Sequence, residues 1–130
     1  PPTSFQAESF DLVLGLSIFT HLNEQDQFAW LSELRRLSCK GALILVSVHG
    51  EPAICRLGEP SALWTYRASS GFLDLGANHD LKGILPESSY RSIYHSPTYI
   101  RDNWSRYFTV LRVIPGYFWG YQDLVVLRND

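Results

Sequence analysis

Two nearly continuous apolar runs, FDLVLGL at Phe10–Leu16 and ALILVSV at Ala42–Val48, bracket a segment of helical length. Runs with so little polar alternation suit strands covered on both faces, as in a parallel sheet. The segment between them, NEQDQFAWLSELRRLSCKG, carries a helical period. Trp30, Leu31, Leu34 and Leu37 form one stripe with Phe28 at its edge, and Ser32, Glu33 and Arg36 are expected to face water. Asn23 is the expected N-cap, Glu24 and Asp26 suit the positive end of the helix, and Gly41 is the expected stop after Arg35, Arg36 and Lys40. Strand, helix and strand make a βαβ unit with a right-handed crossover. Ligands of such sheets sit beyond the carboxyl ends of the strands, so Leu16–Leu22 and His49–Pro52 form the expected functional rim.

Downstream the pattern is more broken. Glu51–Pro60 holds two prolines and a glycine and reads as an excursion over the rim, followed by a short helix around Leu63, Trp64 and Tyr66. Gly71–Gly76 and Tyr90–His95 read as strands, with Ala77–Ser89 as the loop between them. Alternation in the second strand sets Tyr90, Ser92 and Tyr94 on one face, and Arg91, Ile93 and His95 on the other. Ser96-Pro97 opens a helix that is expected to reach Tyr107, with Tyr99, Ile100, Trp104 and Tyr107 inward. Phe108–Ile114 is then a strand, Pro115–Gly120 a turn and Gln122–Arg128 a closing strand. Strands joined by so short a turn are antiparallel.

Composition narrows the function. The chain has 130 residues, 45% hydrophobic and 14% aromatic, enough for a core and against disorder. A formal net charge of −2 argues against a nucleic-acid binder that neutralises phosphates. No apolar run is long enough to insert in a membrane and no signal peptide opens the chain. Cys39 and Cys55 are too isolated for a disulfide framework, which suits a reducing, cytoplasmic setting, and the four histidines and two cysteines show no close ligand pairs for a metal. Methionine is absent and Pro1–Ser4 reads as an inter-strand loop, so the chain is expected to be the C-terminal portion of one domain, with upstream strands left out. Its first strand would then be a bare edge, and a homo-oligomer is expected through it.

SFDLVLGLSIFTHL, followed by a helix ending in ELRRLSCKG and the strand ALILVSV, resembles the middle of class I S-adenosylmethionine-dependent methyltransferases. The end of the chain, YFTVLRVIPGYFWGYQDLVVLRND, is similar to the last two strands of that fold, and its QD-apolar ending is similar to members found beside glycosyltransferases. At the helix end Ser38-Cys39-Lys40-Gly41-Ala42 stands where Leu-Lys-Pro-Gly-Gly is common in the family. The resemblance implies an α/β fold: a partial Rossmann-like methyltransferase sheet, parallel strands followed by an antiparallel C-terminal hairpin. It also implies strands four to seven of a seven-stranded sheet. The family's glycine-rich turn and its ribose-binding acidic residue have no counterpart in this sequence. The chain would supply the acceptor side and one margin of the cofactor pocket, and alone would neither bind S-adenosylmethionine well nor catalyse.

On that resemblance Leu16, Ser17 and Phe19 are the candidate cofactor contacts. His21 and His95 are the candidate catalytic residues, since an imidazole titrates near neutral pH and can take a proton from an acceptor hydroxyl. His49, Tyr90, Arg91 and Tyr94 are the candidates for binding a small-molecule or glycan acceptor, aromatic faces and a guanidinium fork both suiting sugars. Methyl transfer also proceeds by positioning alone, so no base is required. Two rival readings are a non-catalytic, aromatic-rich binding module on an α/β scaffold, and a different doubly wound enzyme such as a nucleotide-binding domain.

Overall fold

The structure is a computed structural model that describes residues 1–86 and 90–130, so the end of the expected Ala77–Ser89 loop lies outside the described residues. In chain order the elements are β1 (Phe10–Gly15), α1 (Glu24–Leu37), β2 (Ser38–His49), α2 (Glu51–Cys55) and α3 (Pro60–Ala68). They continue with β3 (Phe72–Ala77), a 3-10 turn (His79–Leu81), β4 (Arg91–His95), α4 (Pro97–Trp104), β5 (Thr109–Phe118) and β6 (Gln122–Arg128). One sheet has the order β1-β2-β6-β5, with β3 and β4 as a separate pair. β1 runs parallel to β2, as the βαβ pattern requires, and β6 is antiparallel to both β2 and β5. The fold is therefore mixed α/β.

Helix α1 begins where its cap dictates: the Asn23 side chain accepts from the Asp26 amide at 2.9 Å. It ends without a glycine. The Ser38 amide donates to the Leu34 carbonyl and the chain passes straight into β2. Gly41 is thus no helix stop but an interior residue of β2, at φ +84°, where the pairing with β1 jumps from Phe10↔Ser38 to Leu12↔Leu43. Extra residues in one strand need such a bulge, and the positive φ suits glycine. β5 likewise runs through Pro115 and Gly116, which shortens the expected turn, and a register shift between Ile114 and Phe118 absorbs them. Helix α4 stops at Trp104, a turn before Tyr107, and Ser96 caps it by accepting from the Tyr99 amide at 3.0 Å.

Register decides what each face carries. Val13, Ile44 and Leu127 align across three strands, as do Gly15, Val46 and Val125. On this face Leu31 of α1 and Ile100 and Trp104 of α4 complete a core whose members are at most a few per cent exposed. The other face aligns Leu12 with Leu43 and Leu14 with Leu45. Here Leu12 is 53% and Leu14 60% exposed, and among the described residues no helix packs over them. The expectation of strands covered on both faces therefore holds for one face only. An apolar run shows what a strand is suited to bury, not that the same chain supplies the cover.

A second cluster, with Ala53, Ile54, Ala62, Tyr66 and Tyr94, seats α2 and α3 against β4. Glu33, expected in water, is 5% exposed; its carboxylate takes the Thr3 amide and hydroxyl, each at 2.8 Å, together with Arg36. No helix among the described residues is long and apolar enough to cross a membrane.

Candidate functional site

β1 and β2 end side by side, and the loop leaving β1 is held there by polar bonds. Ser17 sits at φ +56°, and its amide donates to the Ser47 hydroxyl at 2.7 Å. Ser47 donates to the Gln122 amide oxygen at 2.7 Å, and the Gln122 amide nitrogen donates to the Ser17 hydroxyl at 3.0 Å. These bonds join the ends of β1, β2 and β6, which offsets the cost of a strained turn. No local pattern marks Ser47 and Gln122 as site residues, because their partners lie 30 and 75 residues away along the chain.

Beyond Ser17 the loop behaves as a third strand beside β4. The Ile93 amide donates to the Thr20 carbonyl, the Arg91 amide donates to the His21 carbonyl, and His21 Nδ1 lies 2.8 Å from the Arg91 carbonyl oxygen. The β3–β4 pair is thereby fastened to the rim as a lid. Tyr90 stacks on His21 with ring centroids 3.9 Å apart. His49 stands edge-on to His21 at 6.0 Å, with Tyr94 and Tyr121 within 5.3 Å and 5.1 Å of its ring. His21, His49, Tyr90 and Tyr94 are thus brought into one cluster, and Tyr121 joins them from the C-terminal hairpin. Arg91 is engaged on Asp74 at 2.6 Å, its guanidinium already paired.

His95 and Phe19 belong to the core instead. His95 is wholly buried, edge-on to Trp104, and Nε2 lies 2.8 Å from the Gln27 side-chain oxygen. The Gln27 amide nitrogen donates to the Leu22 carbonyl at 2.8 Å, which turns its oxygen toward the histidine. His95 therefore carries its proton on Nε2 and braces α1 against β4; it does not face the rim. Period-two alternation aimed it away from Tyr94 correctly, but that second face is closed by Trp104 and Phe72. Phe19 is 2% exposed with its ring tilted on Trp104, so among the candidate cofactor contacts Leu16, 52% exposed, and Ser17 remain exposed and Phe19 does not.

Burial governs the titrations. It depresses His95 to about 3 and His49 to about 4, in each case helped by a neighbouring imidazole. Burial also lowers His21, while the Arg91 carbonyl and Asp80 pull it back. Tyr94 is pushed up to about 12 by burial and then by Tyr121. Asp123, 1% exposed beside the rim, is raised by burial although it accepts the Gly116 amide at 2.8 Å. At neutral pH the His49 and Tyr94 rings are uncharged.

No protein-family model matches the chain, and no curated protein matches it. Among solved structures, the PH0226 protein from Pyrococcus horikoshii is similar over 98% of this chain, with a TM-score of 0.59 and 14% identity. The match covers 58% of that protein, so this chain spans less than two thirds of its length. At that identity the likeness concerns the fold alone.

Proposed function

We propose that the chain is the acceptor side of an S-adenosylmethionine-dependent methyltransferase domain with a partial Rossmann-like sheet, acting on an oxygen of a small molecule or glycan. The observation that carries this reading is the adjoining carboxyl ends of parallel β1 and β2, with a bonded rim loop and a lid of aromatic rings above them. It agrees with the resemblance of Ser4–Gly50 and Ser96–Arg128 to that family.

The cofactor fits on one margin. Leu16 and Ile18 are about half exposed, and Ile18 borders an apolar hollow of about 240 Å³ with Val13, Phe19 and Trp30. Apolar side chains there can lie along a thioether chain but cannot hold ribose hydroxyls or a carboxylate. When bound, the cofactor supplies an electrophilic methyl group and leaves as a thioether. The chain's own part is to hold the rim loop through Ser17, Ser47 and Gln122, and to enclose the acceptor under Tyr90, with Tyr94, 3% exposed, buried behind it.

Titration of the isotopically labelled chain with S-adenosylhomocysteine tests this. Weak binding, with amide shifts concentrated on Gly15–Thr20, is the expected result; unchanged spectra up to the solubility limit would count against the reading. The rival binding module is favoured by the hairpin tip, where Trp119 is 86% and Tyr117 58% exposed. Glycan-induced shifts confined to that tip, with none at the rim, would favour it instead.

A further inference from the structure

We propose that the tip of the β5–β6 hairpin is a docking site for a negatively charged sugar residue, which stacks on the Trp119 ring and sets its carboxylate against Arg56. The site lies beside the rim and does not depend on the methyl-transfer reading. Its first observation is a residue out of place. Trp119 sits at φ +54° and Gly120 at φ +65°, and the Tyr121 amide donates to the Phe118 carbonyl at 2.9 Å. Two successive residues at positive φ, closed by that bond, make a hairpin turn that asparagine or aspartate followed by glycine suits best. Glycine occupies the second position, but the first holds tryptophan, a bulky side chain that the left-handed region disfavours. The same ring is 86% exposed, so it gains nothing from the core in return. A side chain that is costly in its turn and idle in the fold points to a role outside it.

The tip is braced as a pedestal. The Gly120 amide donates to the Gly116 carbonyl at 2.9 Å, and the Gly116 amide donates to the buried Asp123 carboxylate at 2.8 Å. At the end of α2, Arg56 donates through Nη2 to the Trp119 carbonyl at 2.9 Å, with its guanidinium 5.6 Å from the centre of the Tyr121 ring. These bonds fix the main chain under the indole before any ligand arrives, which lowers the ordering cost of binding. Arg56 is exposed, and no carboxylate among the described residues pairs with it, so an unbalanced positive charge stands at the tip. Tyr117, 58% exposed, adds a second ring.

The ligand class follows from shape and charge. An indole standing out at a tip offers one stacking face and leaves the far side of whatever it holds in water. A pyranose suits this, since C–H bonds can meet the ring while its hydroxyls stay hydrated; a nucleobase has two apolar faces and would leave one of them wet. The guanidinium fork selects a sugar bearing a carboxylate over a neutral one. Tyr121 of the same turn lies 5.1 Å from His49, ring to ring, so the tip adjoins the rim.

The test titrates the whole isotopically labelled chain with a galacturonic acid trisaccharide and, separately, with its neutral galactose counterpart. Shifts of the Trp119 indole N–H and of the Tyr117–Tyr121 amides are expected, with the acid binding more tightly than the neutral sugar. Trp119→Asn installs a residue that the turn favours, so its thermal midpoint should match or exceed that of the unchanged chain while the affinity falls roughly tenfold. Arg56→Gln keeps a donor for the Trp119 carbonyl and should erase the preference for the acid. No shift at the tip up to the solubility limit, an unchanged affinity or a lower midpoint in Trp119→Asn, or a preference for the acid that survives Arg56→Gln overturns the proposal. So does equal binding of the two sugars to the unchanged chain, or burial of Trp119 in phosphatidylglycerol vesicles with neither sugar shifting it. Shifts at Gly15–Thr20 with S-adenosylhomocysteine, present or absent, judge the rim alone.

Discussion

His21, His49 and His95 carry the same side chain and differ only in what surrounds it. Burial lowers all three, to about 4 for His49 and about 3 for His95. A histidine with a depressed folded-state value binds fewer protons folded than unfolded, so its contribution to stability is complete above 6.5 and is lost as pH falls toward the folded value. We therefore predict that the urea midpoint declines steadily from pH 7 to pH 4.5. His95→Gln keeps a donor for Gln27 and should give a lower midpoint at pH 7 with a shallower decline; an unchanged slope would remove His95 from the account. Gly50 poses a different constraint. A Cβ there would stand 1.9 Å from the Asp123 carboxylate, so Gly50→Ala should destabilise by about 1–3 kcal/mol, measurable by chemical denaturation.

At the scale of elements, local signals were legible wherever local bonds decide the outcome. Asn23 and Ser96 cap their helices as their positions suggest. Asn23→Ala should cost about 1 kcal/mol, read as a lower thermal midpoint, with Asp26 losing its amide partner. Signals misled where a distant partner took over. Glu33 looked like a solvent residue until Thr3 reached back to it, and Gly41 looked like a stop until Asn129 engaged its amide from the far end of the chain. Pro115 and Gly116 are turn formers and suggest an early hairpin turn, yet the Gly116 amide donates to the Asp123 carboxylate and both residues stay in β5.

For the whole molecule the defining feature is asymmetry. α1 and α4 close one face of the four-stranded sheet; Leu12, Leu14 and Leu43 stay open on the other, beside the free edge of β1. Edges of this kind pair with other chains unless charge or cover prevents it. Self-association that rises with concentration is the expected behaviour in sedimentation experiments, and Leu14→Lys should suppress it. A wild-type chain that stays monomeric at high concentration would refute the expectation.

The sequence by itself determined the order of the strands and of α1, α3 and α4, the parallel βαβ unit and the antiparallel C-terminal pair, but not α2, which forms inside the expected Glu51–Pro60 excursion. Hydrophobic period and turn chemistry are properties of neighbouring residues, and they bias the backbone before any long-range contact forms. Only the tertiary structure decided that His21 bonds the lid strand at the rim while His95 and Phe19 are enclosed, and that one face of the sheet lies uncovered. Those outcomes depend on pairings such as His21 with Arg91, 70 residues apart, and His95 with Gln27, 68 apart, which no local pattern encodes.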